Sequence, residues 1–328
     1  MDTTKFTPRK LLVPGVILSI LIVLATLPLT GVSPYTFFTM GLTIMYVILA
    51  VSWAMFSGPT GYMSLAPAAF VGIGIYVMAR LRDVLPLGAI ILAAVLCSFI
   101  IALLVGLVTL RLKGIYFAIF TFGFVVFLGN FIRYYEFHIL GTRGRLIEPV
   151  SNETFYYIML GIAAATLLTA YLIRRSRLGL AMQSIGGNEE AAAHMGVNTT
   201  MVKVLTFAIS AVFMGAAGAT LATRIIYTEP MTAFSVLYSF TPVLMAVFGG
   251  MGQIYGPVVG AIIFSYLQHY LSGRFPQYYM LSFGIILILF ILYLPGGLAG
   301  LVPQLRDRLR GPISKLLKGG KAEQHANT

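Results

Sequence analysis

The stretch PLGAIILAAVLCSFIIALLVGLVT, residues 86–109, carries no charged side chain along its whole length. A helix needs about 20 predominantly apolar residues to cross the hydrocarbon core of a bilayer. In a membrane, only helices and closed barrels satisfy all of their backbone polar groups internally. This stretch therefore predicts a transmembrane helix, and it sets the fold class for the rest of the chain.

Nine further apolar runs accompany it. They cover residues 11–29, 35–56, 65–79, 115–132, 155–173, 204–222, 233–250, 256–271 and 278–294. The predicted fold is all-α: a polytopic transmembrane helix bundle of about ten spans. The runs 65–79 and 256–271 approach the lower length limit and adjoin glycine-rich segments, so re-entrant or broken helices are the alternative to full spans there.

Composition agrees with a membrane setting. Of the 328 residues, 59% are hydrophobic and only 10% are charged, against roughly a quarter charged in a soluble domain. The net charge of +12 comes from basic residues on loops beside apolar runs, which predicts membrane orientation and no nucleic-acid partner. The single cysteine, Cys97, lies inside an apolar run. Neither a disulfide framework nor a thiolate metal site is expected.

Orientation follows from the basic residues. With ten spans both termini lie on one side, and a cytoplasmic placement puts 15 of the 22 Lys and Arg residues there, as the positive-inside rule requires. The predicted organisation is a cytoplasmic N-terminal tail (1–10), a transmembrane domain (11–302) with a cytoplasmic loop at 174–203, and a basic cytoplasmic C-terminal tail (303–328). Run 11–29 has full span length, so we interpret it as a retained first helix and not a cleaved signal.

The inventory of ionisable groups bears on the energy source. All ten acidic residues fall in loops, tails or span boundaries, whereas proton-driven carriers usually need an ionisable group at membrane depth. The four histidines are scattered, so no metal, cofactor or catalytic residue is predicted. Because the chain also lacks a phosphate-binding loop motif, active transport would require a separate ATPase. A self-sufficient channel or secondary carrier is the alternative.

The polar loop 174–203 is patterned and not featureless. Apolar residues recur at helical spacing from Leu178 to Ile185, and a second short helix then starts after an N-cap and stops before a glycine. A short helix with small side chains suits insertion into a groove on a cytoplasmic partner, and an interfacial helix in lipid headgroups is the alternative. The predicted ATPase-coupling residues are Asn188, Glu189, Glu190, Ala191, Ala192 and Gly196.

Two segments share the spacing Gly-x-x-Gly, at Gly58 and at Gly249. Broken backbone there would offer amides and carbonyls to a passing substrate, and close helix packing explains the same glycines equally well. Four polar residues near or within apolar runs join them as candidates. The predicted translocation path comprises Gly58, Gly61, Ser64, Tyr116, Asn130, Ser210, Gly249, Gly250 and Gly252.

At the polar loop the chain resembles a known family. The motif Glu190-Ala191-Ala192-x-x-x-Gly196, preceded by Ser176-Arg177-Leu178-Gly179, is similar to the loop through which importer permeases engage their ATPase. Together with glycine motifs up to Gly300, it resembles the LivM-type permease subunits of branched-chain amino-acid ABC importers over about residues 35–301. Tyr62 and Gly186 depart from the Gln and Arg usual in that family.

The resemblance implies a multi-pass protein of a prokaryotic inner membrane that translocates branched-chain or similar small amino acids. It also implies four kinds of partner besides the lipid membrane and the small-molecule substrate: a second related permease subunit, two cytoplasmic ABC ATPase subunits and an extracytoplasmic substrate-binding protein. A urea or short-amide permease of the same family is the nearest alternative function.

Overall fold

The structure is a computed structural model. It describes residues 23–26, 33–141 and 144–275, and the positions 277, 278, 281, 284, 285 and 297. Both predicted tails, most of run 11–29 and most of run 278–294 lie outside the described residues.

The described residues are mainly helical. The helices are α1 (Pro34–Thr60), α2 (Pro67–Leu81), α3 (Leu87–Thr109), α4 (Ile115–Tyr135), α5 (Asn152–Arg175), α6 (Arg177–Gly187), α7 (Glu189–His194), α8 (Thr199–Ala222), α9 (Pro230–Ala233), α10 (Leu237–Gly249) and α11 (Tyr255–Arg274). A π-helical turn, Glu136–Leu140, extends α4. Two short strands, β1 (Arg145–Leu146) and β2 (Tyr227–Thr228), pair antiparallel.

Six of these segments are long and apolar enough to cross a membrane: Tyr35–Thr60, Leu87–Thr109, Ile115–Leu140, Asn152–Arg175, Thr199–Ala222 and Pro230–Gly249. The chain is thus a polytopic helical bundle, and the count of ten spans stays a prediction. The all-α prediction missed the strand pair, because two-residue strands are too short to show an alternating pattern.

The helices run back and forth between two ends of the bundle. One end, which we call the α7 end, holds α6, α7, the end of α1 and the start of α4. The other, which we call the sheet end, holds β1, β2, α9 and the π-helical turn. The segment Ile115–Leu140 joins the two ends, and at 1.5 Å per residue its length is roughly 35–40 Å.

Helix α8 lies at the centre of the bundle. In its most apolar window 78% of residues are buried, against 22% for the peripheral segment Ile115–Leu140. Small residues bring its neighbours close. A Cβ added to Gly74 of α2 would overlap the Gly215 carbonyl of α8, and one added to Gly218 would overlap the Val71 carbonyl. Backbone contact of this kind is how helices pack where apolar burial gives no driving force between them.

Between α1 and α2 the backbone is irregular over residues 61–66. Its polar groups are satisfied by side chains from three helices: Trp53 donates to the Ser64 carbonyl (2.7 Å), Ser239 donates to the Leu65 carbonyl (2.8 Å), and Thr121 accepts from the Leu65 amide (2.9 Å). Irregular backbone within a membrane protein is tolerated when it is enclosed by protein in this way. This explains why run 65–79 forms only a short helix.

Helices α10 and α11 meet backbone to backbone at the α7 end. Added Cβ atoms at Gly249 and Gly256 would overlap the carbonyls of Gly256 and Gly250, and one at Gly260 would overlap the Met245 carbonyl. These three positions must therefore be glycine for the two helices to approach so closely. Of the two interpretations of the Gly249 motif, close packing accounts for Gly249 itself.

Candidate coupling site and two cavities

The short helix α7 forms as its sequence pattern predicts. The Asn188 side chain accepts a hydrogen bond from the Ala191 amide at 3.0 Å, which caps the first turn. The helix ends at His194, and Gly196 follows with φ +86°, a conformation that glycine adopts without steric cost. Asn198 then caps α8 by accepting from the Met201 amide. The predicted N-cap and stop residue of α7 are confirmed.

Glu189, the first residue of α7, ties this helix to the bundle. Its carboxylate accepts a hydrogen bond from Lys203 Nζ at 2.6 Å and another from the Tyr62 hydroxyl at 2.5 Å. Lys203 Nζ also donates to the Leu110 carbonyl at 3.0 Å. The group of Glu189, Lys203, Tyr62 and the Leu110 carbonyl, which we call the Glu189 tie, thus joins α7 to α8, to the end of α3 and to the segment after α1.

Burial in the tie is deep enough for these contacts to matter. The Lys203 side chain is only 3% exposed and that of Glu189 is 19% exposed. Burial alone would raise the pKa of the Glu189 carboxyl, but hydrogen bonds from Lys203 and Tyr62 and the positive charge of Lys203 outweigh it and lower the pKa below its ordinary value. Burial and the adjacent carboxylate raise the pKa of Tyr62, which keeps the hydroxyl protonated as a donor.

The predicted coupling residues divide between two faces of α7. Glu189 points into the tie and Ala192 is fully buried against the bundle. Asn188, Glu190, Ala191 and Gly196 are exposed, together with Ala193, His194 and Met195. The Glu190 carboxylate pairs with Lys113 at 3.2 Å, with side chains 79% and 64% exposed. The outward face of the short helix α7 is thus accessible to solvent, and the ion pair at its edge is a weak surface pair.

The structure accounts for the glycine at position 186, one of the departures from the family pattern. An added Cβ there would overlap the Pro59 carbonyl at the end of α1, so no side chain fits in this arrangement. Tyr62, another departure, supplies the hydroxyl of the Glu189 tie. Both changes lie where α6 and α7 contact the end of α1.

Part of the predicted translocation path gathers at the α7 end. Gly58 and Gly252 line a cavity of about 390 Å³, next to Arg174 and Gln183. Arg174 donates to the Gly252 carbonyl at 2.5 Å, which closes one side of the cavity. Gly249 and Gly250 are buried beside it, and Gly61 ends α1 with φ +72°.

The other predicted path residues lie apart. Ser64 is buried in the irregular segment 61–66, and Ser210 donates to the Phe207 carbonyl of its own helix at 2.7 Å. Tyr116 is 68% exposed on the outer face of α4. Asn130 lines a second cavity at the sheet end. The described residues therefore bring the nine candidates together in no single channel.

The cavity at the sheet end has a volume of about 640 Å³, within the usual range for small-molecule pockets. Its ionisable lining residues are Arg133, Glu136, His138 and Glu229, and its apolar walls include Met231, Pro230 and aromatic rings of Tyr134, Phe137 and Tyr227. Glu136 was expected at a span boundary. It does lie there, but its side chain is buried, at 2% exposure.

Sequence reasoning missed two features of these sites. Lys203 is not among the predicted site residues, although it is the one charged residue in the apolar helix α8, and that isolation is a signal for a buried partner. The sheet-end cavity was missed because its lining comes from α4, β2 and α9, and only the fold brings these together.

Apolar spans and a capped surface helix at one end of the bundle are features of a membrane transport subunit. The chain matches the sequence profile of the family "Branched-chain amino acid transport system / permease component" over residues 35–292. It therefore belongs to that family.

Individual relatives agree. The high-affinity branched-chain amino acid transport system permease protein LivM of Salmonella typhimurium is 27% identical over 317 residues, covering 86% of this chain and 72% of the relative. LivH of the same organism is 27% identical over 297 residues, covering 80% and 92%. The ribose import permease protein RbsC of Bacillus subtilis is 28% identical over 148 residues, covering 42% and 46%. No solved structure gives a significant match.

Proposed function

We propose that this chain is the permease subunit of an ABC importer for branched-chain or similar small amino acids, driven by separate ATPase subunits. The observation that carries the proposal is α7: a capped helix with a small, open outward face that is held to the bundle by the buried Glu189 tie. The family match and the names of LivM and LivH support the substrate class.

The tie suggests how force would reach the pore. An ATPase bound to the outward face of α7 moves Glu189, and with it Lys203 near the start of the central helix α8. Lys203 also holds the Leu110 carbonyl, so the end of α3 follows. The ATP-bound partner then shifts the permease between two states by its different contacts with each.

The partners in this proposal are a second, related permease, two cytoplasmic ATPases and an extracytoplasmic binding protein. The similarity to both LivM and LivH supports a paired permease. The predicted orientation puts the α7 end and both termini in the cytoplasm of a prokaryotic cell. The scattered placement of the path residues suits a pathway completed by the second permease.

Purification of the tagged chain from its native membrane tests the class. We expect a second permease and an ATPase to co-purify, and we expect the reconstituted complex to accumulate leucine only with ATP. Concentrative uptake by the isolated chain in liposomes would contradict the proposal and favour a secondary carrier. Uptake of urea in place of leucine by the complex would favour the urea or short-amide alternative.

Cross-linking tests the role of α7 directly. A cysteine in place of the exposed Ala193 should capture the ATPase subunit, whereas one at the buried Ala192 should not, although the two positions are adjacent. Capture of lipid alone from position 193 would support the alternative of an interfacial helix.

A further inference from the structure

The sheet-end cavity holds a buried acid whose bonding is incomplete. Glu136 is 2% exposed, and its Oε1 atom has no hydrogen-bond partner among the described residues. Within the described part of the chain, its Oε2 atom accepts one long hydrogen bond, from the Tyr76 hydroxyl at 3.4 Å. A buried carboxylate oxygen without a partner is costly, so each such atom calls for an explanation.

Nearby cations do not supply the missing bond. Among the described residues neither ion pair involves Glu136. Arg80 lies over the Tyr135 ring at 5.9 Å, Arg145 donates to the Ala79 carbonyl at 3.4 Å, and Arg133 is directed at Met231 Sδ at 4.0 Å. Among the described residues, these three arginines therefore leave the position beside Oε1 open.

The rest of the lining fits one kind of ligand. Glu136 offers an acceptor for an ammonium group, and the exposed Arg133 guanidinium offers donors for a carboxylate. Met231 and Pro230 provide apolar surface for a side chain without charge. A volume of about 640 Å³ exceeds that of a single aliphatic amino acid and leaves room for water.

We propose that the sheet-end cavity is a binding site for the free amino acid, in which Glu136 accepts the substrate ammonium group and Arg133 binds its carboxylate. This inference rests on the proposed function, because it assigns a substrate subsite to a permease. The site lies at the opposite end of α4 from Lys113 and α7, so the substrate would occupy it before or after the pore.

A protection assay tests the assignment on the complete reconstituted importer without its binding protein. Asn130 lines the cavity and is exposed, so a cysteine there, with Cys97→Ala as background, reports access of a thiol reagent. We expect leucine and leucinol, which share the ammonium group, to slow modification in a saturable way. 4-Methylpentanoate, which lacks that group, should not.

Two variants separate the roles of the two charges. Glu136→Gln should raise the half-protecting concentration of leucine and leucinol alike by roughly 10- to 100-fold, the usual worth of a hydrogen bond between charged groups. Arg133→Gln should raise it for leucine but not for leucinol. Glu153→Gln, an exposed acid at the start of α5 outside the cavity, is the matched control and should change neither.

Several results would overturn the site. Equal protection by 4-methylpentanoate, protection unchanged by Glu136→Gln, or no protection by leucine would each do so. If the binding protein without amino acid slowed modification of the cysteine at position 130, the cavity would instead be assigned to docking of that protein. Because co-purification and ATP-driven uptake are measured on the same complex, failure here with uptake intact leaves the proposed function standing.

Discussion

Two carboxylates at opposite ends of the bundle, the partly buried Glu189 and the buried Glu136, differ in how completely they are bonded. At the α7 end, Glu189 receives a lysine and a tyrosine hydroxyl. At the sheet end, Glu136 is more deeply buried, yet among the described residues one of its oxygens has no partner and the other has a 3.4 Å contact. A fully bonded buried charge fixes the position of the elements that carry it, whereas an incompletely bonded one is available to a ligand.

The contrast gives the two ends different expected responses to mutation. Removing one partner from the Glu189 tie leaves the opposite charge, which is compensated in the wild-type chain, without its partner. Replacing the Glu136 carboxylate by an uncharged group removes the free-energy cost of burying an incompletely bonded carboxylate. Substitutions in the Glu189 tie should therefore lower the stability of the protein, whereas substitution of Glu136 should leave it nearly unchanged. Ligand binding should be lost on substitution of Glu136 and retained on substitution in the tie.

The largest effect is expected for Lys203→Met, which leaves the carboxylate of Glu189 partly buried without its cation. Breaking a buried ion pair on one side typically costs about 3–5 kcal/mol. We expect a clear fall in the melting temperature of the purified complex and loss of ATP-driven uptake. Lys113→Met is the matched control, since it breaks only the exposed pair with Glu190; an equal loss in both variants would contradict a special role for the tie.

A smaller effect is expected for Gly196→Val. The φ of +86° at this position is unfavourable for a branched side chain, at a cost of about 1–2 kcal/mol. Because Gly196 ends the exposed face of α7, ATP hydrolysis should persist while uptake falls roughly tenfold. Gly187→Ala is a fair comparison, since it has helical backbone and open space, and its uptake should be normal. Normal uptake by Gly196→Val would argue against coupling through α7.

For Glu136→Gln we expect the free energy of unfolding to change by less than about 1 kcal/mol, because Oε1 loses no partner. Thermal unfolding of the complex in the absence of amino acid measures this. A loss as large as that of Lys203→Met would mean that Glu136 is a structural residue like Glu189, and the distinction between the two ends would fail.

The smallest effect concerns pH. A carboxyl whose folded pKa is lowered stabilises the folded state above its unfolded pKa of about 4.3, and this contribution is lost only as the pH falls through the folded value. The stability difference between the wild-type chain and Glu189→Gln should therefore stay constant from pH 8 to pH 5. A difference that shrinks across this window would show that the tie titrates near neutrality.

Much of the α7 end could be predicted from sequence because its signals are local. Asn188, Gly196 and Asn198 act within a few residues of themselves, so capping rules place α7 and the start of α8. The Glu189 tie joins residues up to 141 positions apart, and no local rule reveals it. The same holds for the sheet-end cavity and for segment 61–66, whose hydrogen bonds come from three different helices.

The glycine path residues show a second limit. A glycine motif predicts close approach or broken backbone but does not distinguish between them. At Gly249 the carbonyl of Gly256 lies where a side chain would be, which shows close approach. At Gly61 the left-handed conformation ends a helix, which shows a break. Only the neighbouring backbone tells the two cases apart.

The contact of α10 with α11 has a mechanical consequence. Two helices whose main chains touch cannot slide past one another without steric overlap, so this hairpin would tilt as a single lever. Its turn is fastened to α5 by Arg174 and the Gly252 carbonyl, close to where α6 begins. A push on α6 and α7 would accordingly tilt the whole hairpin about that point, so that a small displacement there becomes a larger one near Arg274.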